Sequence, residues 1–286
     1  MRLVLLFSLL CLAGTAHAQL KPHKDRLFAY PKVLEQRLGG RHIVVDYDKQ
    51  RDLLARDRVP RRKVRDIYVA GGLAFRRRVE AFQVPGGSRK AFSVGAHRDA
   101  AWTLVYVHGR GGNRRQGVDD YTFGGNFNRL QNLAARNGGR LLTPDVVEFG
   151  SAGTAEIVAL LARARRDGPY TRLVLACGSM GGRICWRILA RPAADTLSGV
   201  VLLGSQGHEP FLGSAQHRRG AGGVPVVMAI GGSDQVFDPK TQRRFFERLV
   251  SAQPAYPARL VEFHTGVHGT PIRMIDWRLE LNRLLR

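Results

Sequence analysis

The chain has 286 residues, with 45 Lys and Arg against 23 Asp and Glu and a formal net charge of +22. Its three cysteines are too few for a disulfide framework, and no segment after the opening apolar run is apolar enough to cross a bilayer. Thirty-eight of the cations are arginines, spread along the chain and densest at "RVPRRKVR" (58–65), which suits either an anionic partner or a generally basic surface.

Residues 1–18, "MRLVLLFSLLCLAGTAHA", combine Arg2, an apolar run over 3–14 and the small residues Ala16 and Ala18 where a signal peptidase cuts. The run is shorter than the roughly 20 residues a membrane helix needs. Leu10 before Cys11 speaks against a lipoprotein site. The expected mature chain begins at Gln19 and is soluble and exported, either to a periplasm or to the outside. Its length suits one large or two small domains. Residues 19–63 are polar and weakly periodic and read as a basic arm, with a short helix at most in "FAYPKVLEQRL".

From Val64 the pattern changes. "VRDIYVA", "RRRVEAFQV" and "RKAFSVG" are short β-like runs separated by "GG" and "PGG" turns. "WTLVYV" (102–107) is a buried-type strand, "NFNRLQNLAARNG" (126–138) a helix with a glycine stop, and "RLLTPD" the next strand. "TAEIVALLARARRDG" (154–168) is an amphipathic helix with Thr154 as its cap. "RLVLAC", a helix over 180–191, "SGVVLLG", "GVPVVMAIGG", a helix over 239–252, the strand "ARLVEFH" and one closing helix, "TPIRMIDWRLELNRLL", complete the chain. Continuous apolar strands alternating with helices predict a mostly parallel sheet covered on both faces. Cys177 and Cys185 read as two buried small residues.

In such sheets, functional groups collect beyond the carboxyl ends of the strands. Those ends carry His108-Gly109-Arg110-Gly111-Gly112, Ser179, Asp234 and His268. A serine hydroxyl becomes a nucleophile when a base takes its proton, and histidine titrates in the range for that work. An acid then fixes the histidine's tautomer. Ser, Asp and His in this chain order, with "CGSMGG" (177–182) and "TPDVVEFG" (143–150), resemble the α/β-hydrolase superfamily of serine esterases, lipases and peptidases from about residue 101 onward. In the family's G-x-S-x-G pattern Cys177 stands where the first glycine would be.

The resemblance implies an α/β-hydrolase domain over 64–286, with Ser179 as nucleophile, His268 as base and Asp234 as its acid. His264 is the competing histidine, and Asp238 the competing acid, better placed to begin the helix at Pro239. The resemblance also implies an oxyanion hole from the backbone amides of Arg110 and Met180. No metal or cofactor is expected, because no cysteines and histidines cluster with zinc-ligand spacing. Residues 204–225 leave room only for a short cap. Arg110, Arg114, Arg115, Arg183, Arg218 and Arg219 fall in or near the loops expected at the mouth. They suggest an anionic substrate or leaving group, or else are solvated loop residues. The expected activity is carboxylic ester hydrolysis on a small-molecule or polymeric ester, with no nucleic-acid partner. The alternatives are a peptidase, a thioesterase, or a non-catalytic polyanion binder on the same scaffold.

Overall fold

A computed structural model describes residues 19–58 and 62–286, apart from the side chain of Ala74. The leader expected over 1–18 lies outside the described residues. Ten strands form one sheet: β1 (Val33–Arg37), β2 (His42–Val45), β3 (Arg78–Val84), β4 (Gly87–Gly95), β5 (Trp102–Val107), β6 (Gly139–Pro144), β7 (Arg172–Gly178), β8 (Leu197–Leu203), β9 (Val226–Gly231) and β10 (Ala258–Phe263). Their order in space is β1-β2-β10-β9-β8-β7-β5-β6-β4-β3. From β2 through β6 every neighbour pairs parallel, and antiparallel strands close both edges.

The central strands are apolar throughout because both faces are covered. Successive residues of β5 and β7 point to opposite layers. Val105, Val107, Leu175 and Cys177 pack with α2 (Ser151–Asp167), α3 (Gly182–Leu189) and α4 (Pro239–Ala252) through Ile157, Trp186 and Phe245. Leu104, Tyr106, Val174 and Ala176 face the other layer. It is built from Phe127 and Leu130 of α1 (Asn126–Arg136) and from Trp277 and Leu281 near the chain end. Among the described residues, no helix is long and apolar enough to cross a membrane.

The sheet reverses direction of growth between β5 and β7. After β5 the chain adds β6 on one side, and after β6 it returns to add β7 on the other. Parallel crossovers wound in opposite directions leave a crevice beyond the carboxyl ends at that point. The loop after β5 and Ser179 after β7 meet there.

Four local expectations change. The segment read as an arm joins the sheet, with β2 pairing parallel to β10 and β1 antiparallel to β2. His42, Ile43, Val44 and Val45 are all buried, a short run that charged flanks conceal in sequence. "VRDIYVA" supplies only Val64 to a two-residue ladder, Lys63–Val64 against Asp57–Arg58, and then a 3-10 turn whose Tyr68 ring packs under the Arg56 guanidinium. The helix expected from Thr154 starts at Ser151. Glu148 accepts the Gly153 N–H, so the Thr154 hydroxyl is free to donate back to the Gly150 carbonyl from inside the first turns. The closing helix is two, α5 (Thr270–Met274) and α6 (Trp277–Leu284), because Ile275 is extended and Asp276 caps the second.

Candidate active site

Strand β7 ends at Gly178, and Ser179 begins a 3-10 turn with φ of +50° before α3 continues the chain. A side-chain-bearing residue in that region costs on the order of 1–3 kcal/mol, and it persists only where the surroundings over-determine it. The neighbours supply the room. A Cβ on Gly109 would lie 2.8 Å from Ser179 Cβ, and one on Gly181 would lie 2.7 Å from the His108 carbonyl oxygen. The turn therefore lifts the Ser179 hydroxyl out of the sheet while its flanks press against β5.

Cys177 is not a free small residue. It is disulfide-bonded to Cys185, with 6.3 Å between the two Cα atoms. Cys177 precedes the turn as a regular strand residue of β7, so it needs no glycine conformation there. Its side chain enters the layer that α3 covers, and the sharp elbow brings Cys185 of α3 back over the strand. Eight residues of separation look too local for a bridge on a straight element; the reversal at Ser179 makes them neighbours.

His268 lies in the loop between β10 and α5. Its Nε2 is 2.8 Å from Ser179 Oγ, and its Nδ1 is 2.8 Å from Asp234 Oδ2. The loop after β9 holds Asp234, whose other oxygen accepts the amides of Val236 at 2.7 Å and Phe237 at 3.1 Å. Burial alone would raise the Asp234 carboxyl, but the donors His268, Val236 and Phe237 hold it below the usual carboxylate range, so it is ionised at neutral pH. An ionised Asp234 keeps a proton on Nδ1 and leaves Nε2 free to accept from the Ser179 hydroxyl. The Phe237 ring covers one side of His268, 5.3 Å between centroids.

The loop after β5 is shaped by a buried histidine. The Val146 amide donates to His108 Nε2 at 3.1 Å, so Nδ1 carries the proton and donates to the Gly109 carbonyl at 2.8 Å. Burial pushes the His108 ring below the ordinary histidine range, which keeps it in that neutral form. Arg110 from this loop and Met180 after the serine border the same cavity of about 850 Å³. Arg183, Arg187, His208 and Glu148 complete its polar lining. A second depression of about 870 Å³ lies at the amino ends of the strands, around Trp102 and Gly138, away from Ser179.

No protein-family model and no curated sequence matches the chain. Solved structures do. An esterase of Pyrococcus furiosus is similar at 14% identity with a TM-score of 0.55, over 76% of this chain and 96% of its own. A thermostable esterase is similar at 13% identity with a TM-score of 0.58, over 74% of this chain and 63% of its own. An acylaminoacyl peptidase of Pyrococcus horikoshii is similar at 14% identity with a TM-score of 0.54, over 73% of this chain and 41% of its own. The chain has the α/β-hydrolase fold.

On that fold, the candidate residues named from sequence fall into two groups. Ser179, His268 and Asp234 converge in one hydrogen-bonded chain, with Arg110 and Met180 alongside. His264 is exposed at the end of β10, its amide held by the Val45 carbonyl, and Asp238 caps α4 by accepting the amides of Lys240 and Thr241. Of the arginines expected at the mouth, Arg110 and Arg183 border the cavity. Arg114 is ion-paired with Asp145 and Arg219 with Asp195, while Arg218 donates to the Gly213 carbonyl and Arg115 does not border the cavity. Sequence reading missed Arg187 and His208. Arg187 was within reach, since it lies four residues after Arg183 on one helix face. His208 was not, because its loop has no period to place it.

Proposed function

We propose that the protein is an exported serine hydrolase that cleaves carboxylic esters. Ser179 Oγ attacks the ester carbonyl as His268 Nε2 takes its proton, and the amides of Arg110 and Met180 receive the developing oxyanion. The carbonyl–oxygen bond to the alcohol then breaks, and His268 returns the proton to the leaving oxygen. A water molecule gives a proton to His268 and attacks the acyl-serine, releasing the carboxylic acid and regenerating Ser179.

The observation that carries this reading is the unbroken chain from Asp234 through His268 to Ser179 Oγ, ending on a serine with positive φ. The fold is shared with esterases and a peptidase, which favours acyl transfer as the class. Export is supported by the leader-like pattern over 1–18 and by the buried Cys177–Cys185 bridge, a bond found mostly in oxidising compartments.

Treatment with a fluorophosphonate probe should label the folded protein once, at Ser179, and labelling should vanish in Ser179→Ala. A panel of p-nitrophenyl esters run beside peptide amides should show turnover of the esters. Absence of labelling in folded protein rejects the hydrolase, and amide turnover without ester turnover would replace the esterase with a peptidase.

A further inference from the structure

We propose that the cavity beside Ser179 is an anion subsite that binds a carboxylate on the acyl part of the ester, through Arg110, Arg183 and Arg187. This rests on the serine-hydrolase reading and adds the substrate class to it.

Charge in the cavity is the first ground. Three arginines border it, and none of the three makes an ion pair among the described residues. Three buried arginines elsewhere meet acids: Arg140 meets Glu80 and Asp167, Arg129 meets Asp25 and Asp276, and Arg273 meets Asp57, whereas buried Arg56 lies over the Phe28 and Tyr68 rings instead. On α3, Arg183 and Arg187 stand one turn apart, with no acid within a turn on either side: Ser179 and Met180 precede them, and Ala190 and Arg191 follow. Like charges at that spacing weaken a helix, so the pair is a cost to the fold taken alone. The one carboxylate in the cavity wall, Glu148, accepts the amide of Gly153 through one oxygen, so the wall carries three cations against one anion. His208 adds little charge near neutrality, because burial and the neighbouring Arg187 push its ring below the ordinary histidine range.

Position decides which half of the substrate the anion belongs to. The base must sit beside the leaving oxygen, since it returns the proton there. Ser179, His268, Asp234 and Phe237 are absent from the cavity wall, whereas the loop after β5 and Met180, next in sequence to the serine and carrying the proposed oxyanion donors, form part of it. The cavity therefore opens on the side of the tetrahedral centre away from the alcohol, where the acyl chain runs. Guanidinium groups match a carboxylate in plane and charge.

The test compares two p-nitrophenyl esters with one leaving group, the hemiester of glutaric acid and its neutral methyl diester. At low ionic strength kcat/KM for the hemiester should exceed that for the diester by tenfold or more, and the ratio should fall as salt rises. Arg183→Gln and Arg187→Gln, both at exposed helix positions, should each lower that ratio by severalfold, while Arg166→Gln on the outer face of α2 should leave it alone. Equal rates for the two esters, or a preference that Arg166→Gln lowers as much as the cavity variants do, overturns the subsite in favour of a merely basic surface. These outcomes are separable from failure of the hydrolase itself. Fluorophosphonate labelling with diester turnover but no hemiester preference rejects the subsite alone; no labelling and no turnover of either ester rejects both.

Discussion

Ser179 is held by contacts that leave little latitude. Its positive φ, the close approach of Gly109 and the 2.8 Å contact to His268 are one arrangement, and each needs the others. Asp234 is tied to it through the histidine tautomer. Asp234→Asn keeps the shape of the side chain but presents an amide N–H to Nδ1, which moves the ring proton to Nε2 and removes the acceptor for Ser179. We expect kcat on a p-nitrophenyl ester to fall on the order of 10³–10⁴-fold with an unchanged melting temperature. Near-normal turnover in the variant would mean that Asp234 does not orient the base. At this scale much was legible: Ser179, Asp234 and His268 each follow a strand-like run and precede a turn. Asp238 was separable too, because an acid directly before Pro239 is a helix cap.

The loop that carries His268 is held from outside by the segment read as an arm. The Thr265 hydroxyl donates to the Tyr47 carbonyl at 2.6 Å and the His264 amide to the Val45 carbonyl at 2.9 Å. Just beyond the loop, Arg273 of α5 forms a two-pronged pair with Asp57 and donates to the Asp52 carbonyl at 2.8 Å. Arg273 and Asp57 are both buried. Removing one partner strands a charge away from water, so Asp57→Ala should cost about 3–5 kcal/mol in urea unfolding. A loss below about 1 kcal/mol would show that water reaches Arg273 once its partner is gone. None of this was readable in advance. "YDKQRDLLARDR" has neither a strand nor a helix period, and its acids matter because α5, more than 200 residues later, brings Arg273 to them.

Across the whole molecule the excess positive charge is managed by burial and pairing as much as by solvent. His23 shows the consequence. Burial first, and then Arg136, Lys24 and Arg129, push its ring from 6.5 down to about 4. Below pH 6.5 the unfolded chain takes a proton there that the folded chain refuses until about pH 4, so stability falls across that window as pH drops. Discounted for the ring's partial solvent contact, the loss is about 1–2 kcal/mol. His23→Gln should therefore narrow the difference between melting temperatures at pH 7 and pH 4.5. His108 and His208, both also shifted downward, leave part of that difference in place. An undiminished difference in His23→Gln would assign the acid sensitivity elsewhere.

What the sequence determined by itself is the order of strand ends and the chemistry each one carries, because both are properties of short contiguous stretches: apolar runs, turns and the residue types that follow them. Tertiary structure alone decided the Cys177–Cys185 bridge, the docking of residues 33–57 onto the sheet, and the placing of His208 in the cavity that Arg110, Arg183 and Arg187 border. Those features depend on which distant segments become neighbours. That is settled by how the helices close over the sheet and by the reversal at Ser179, and no local period records either.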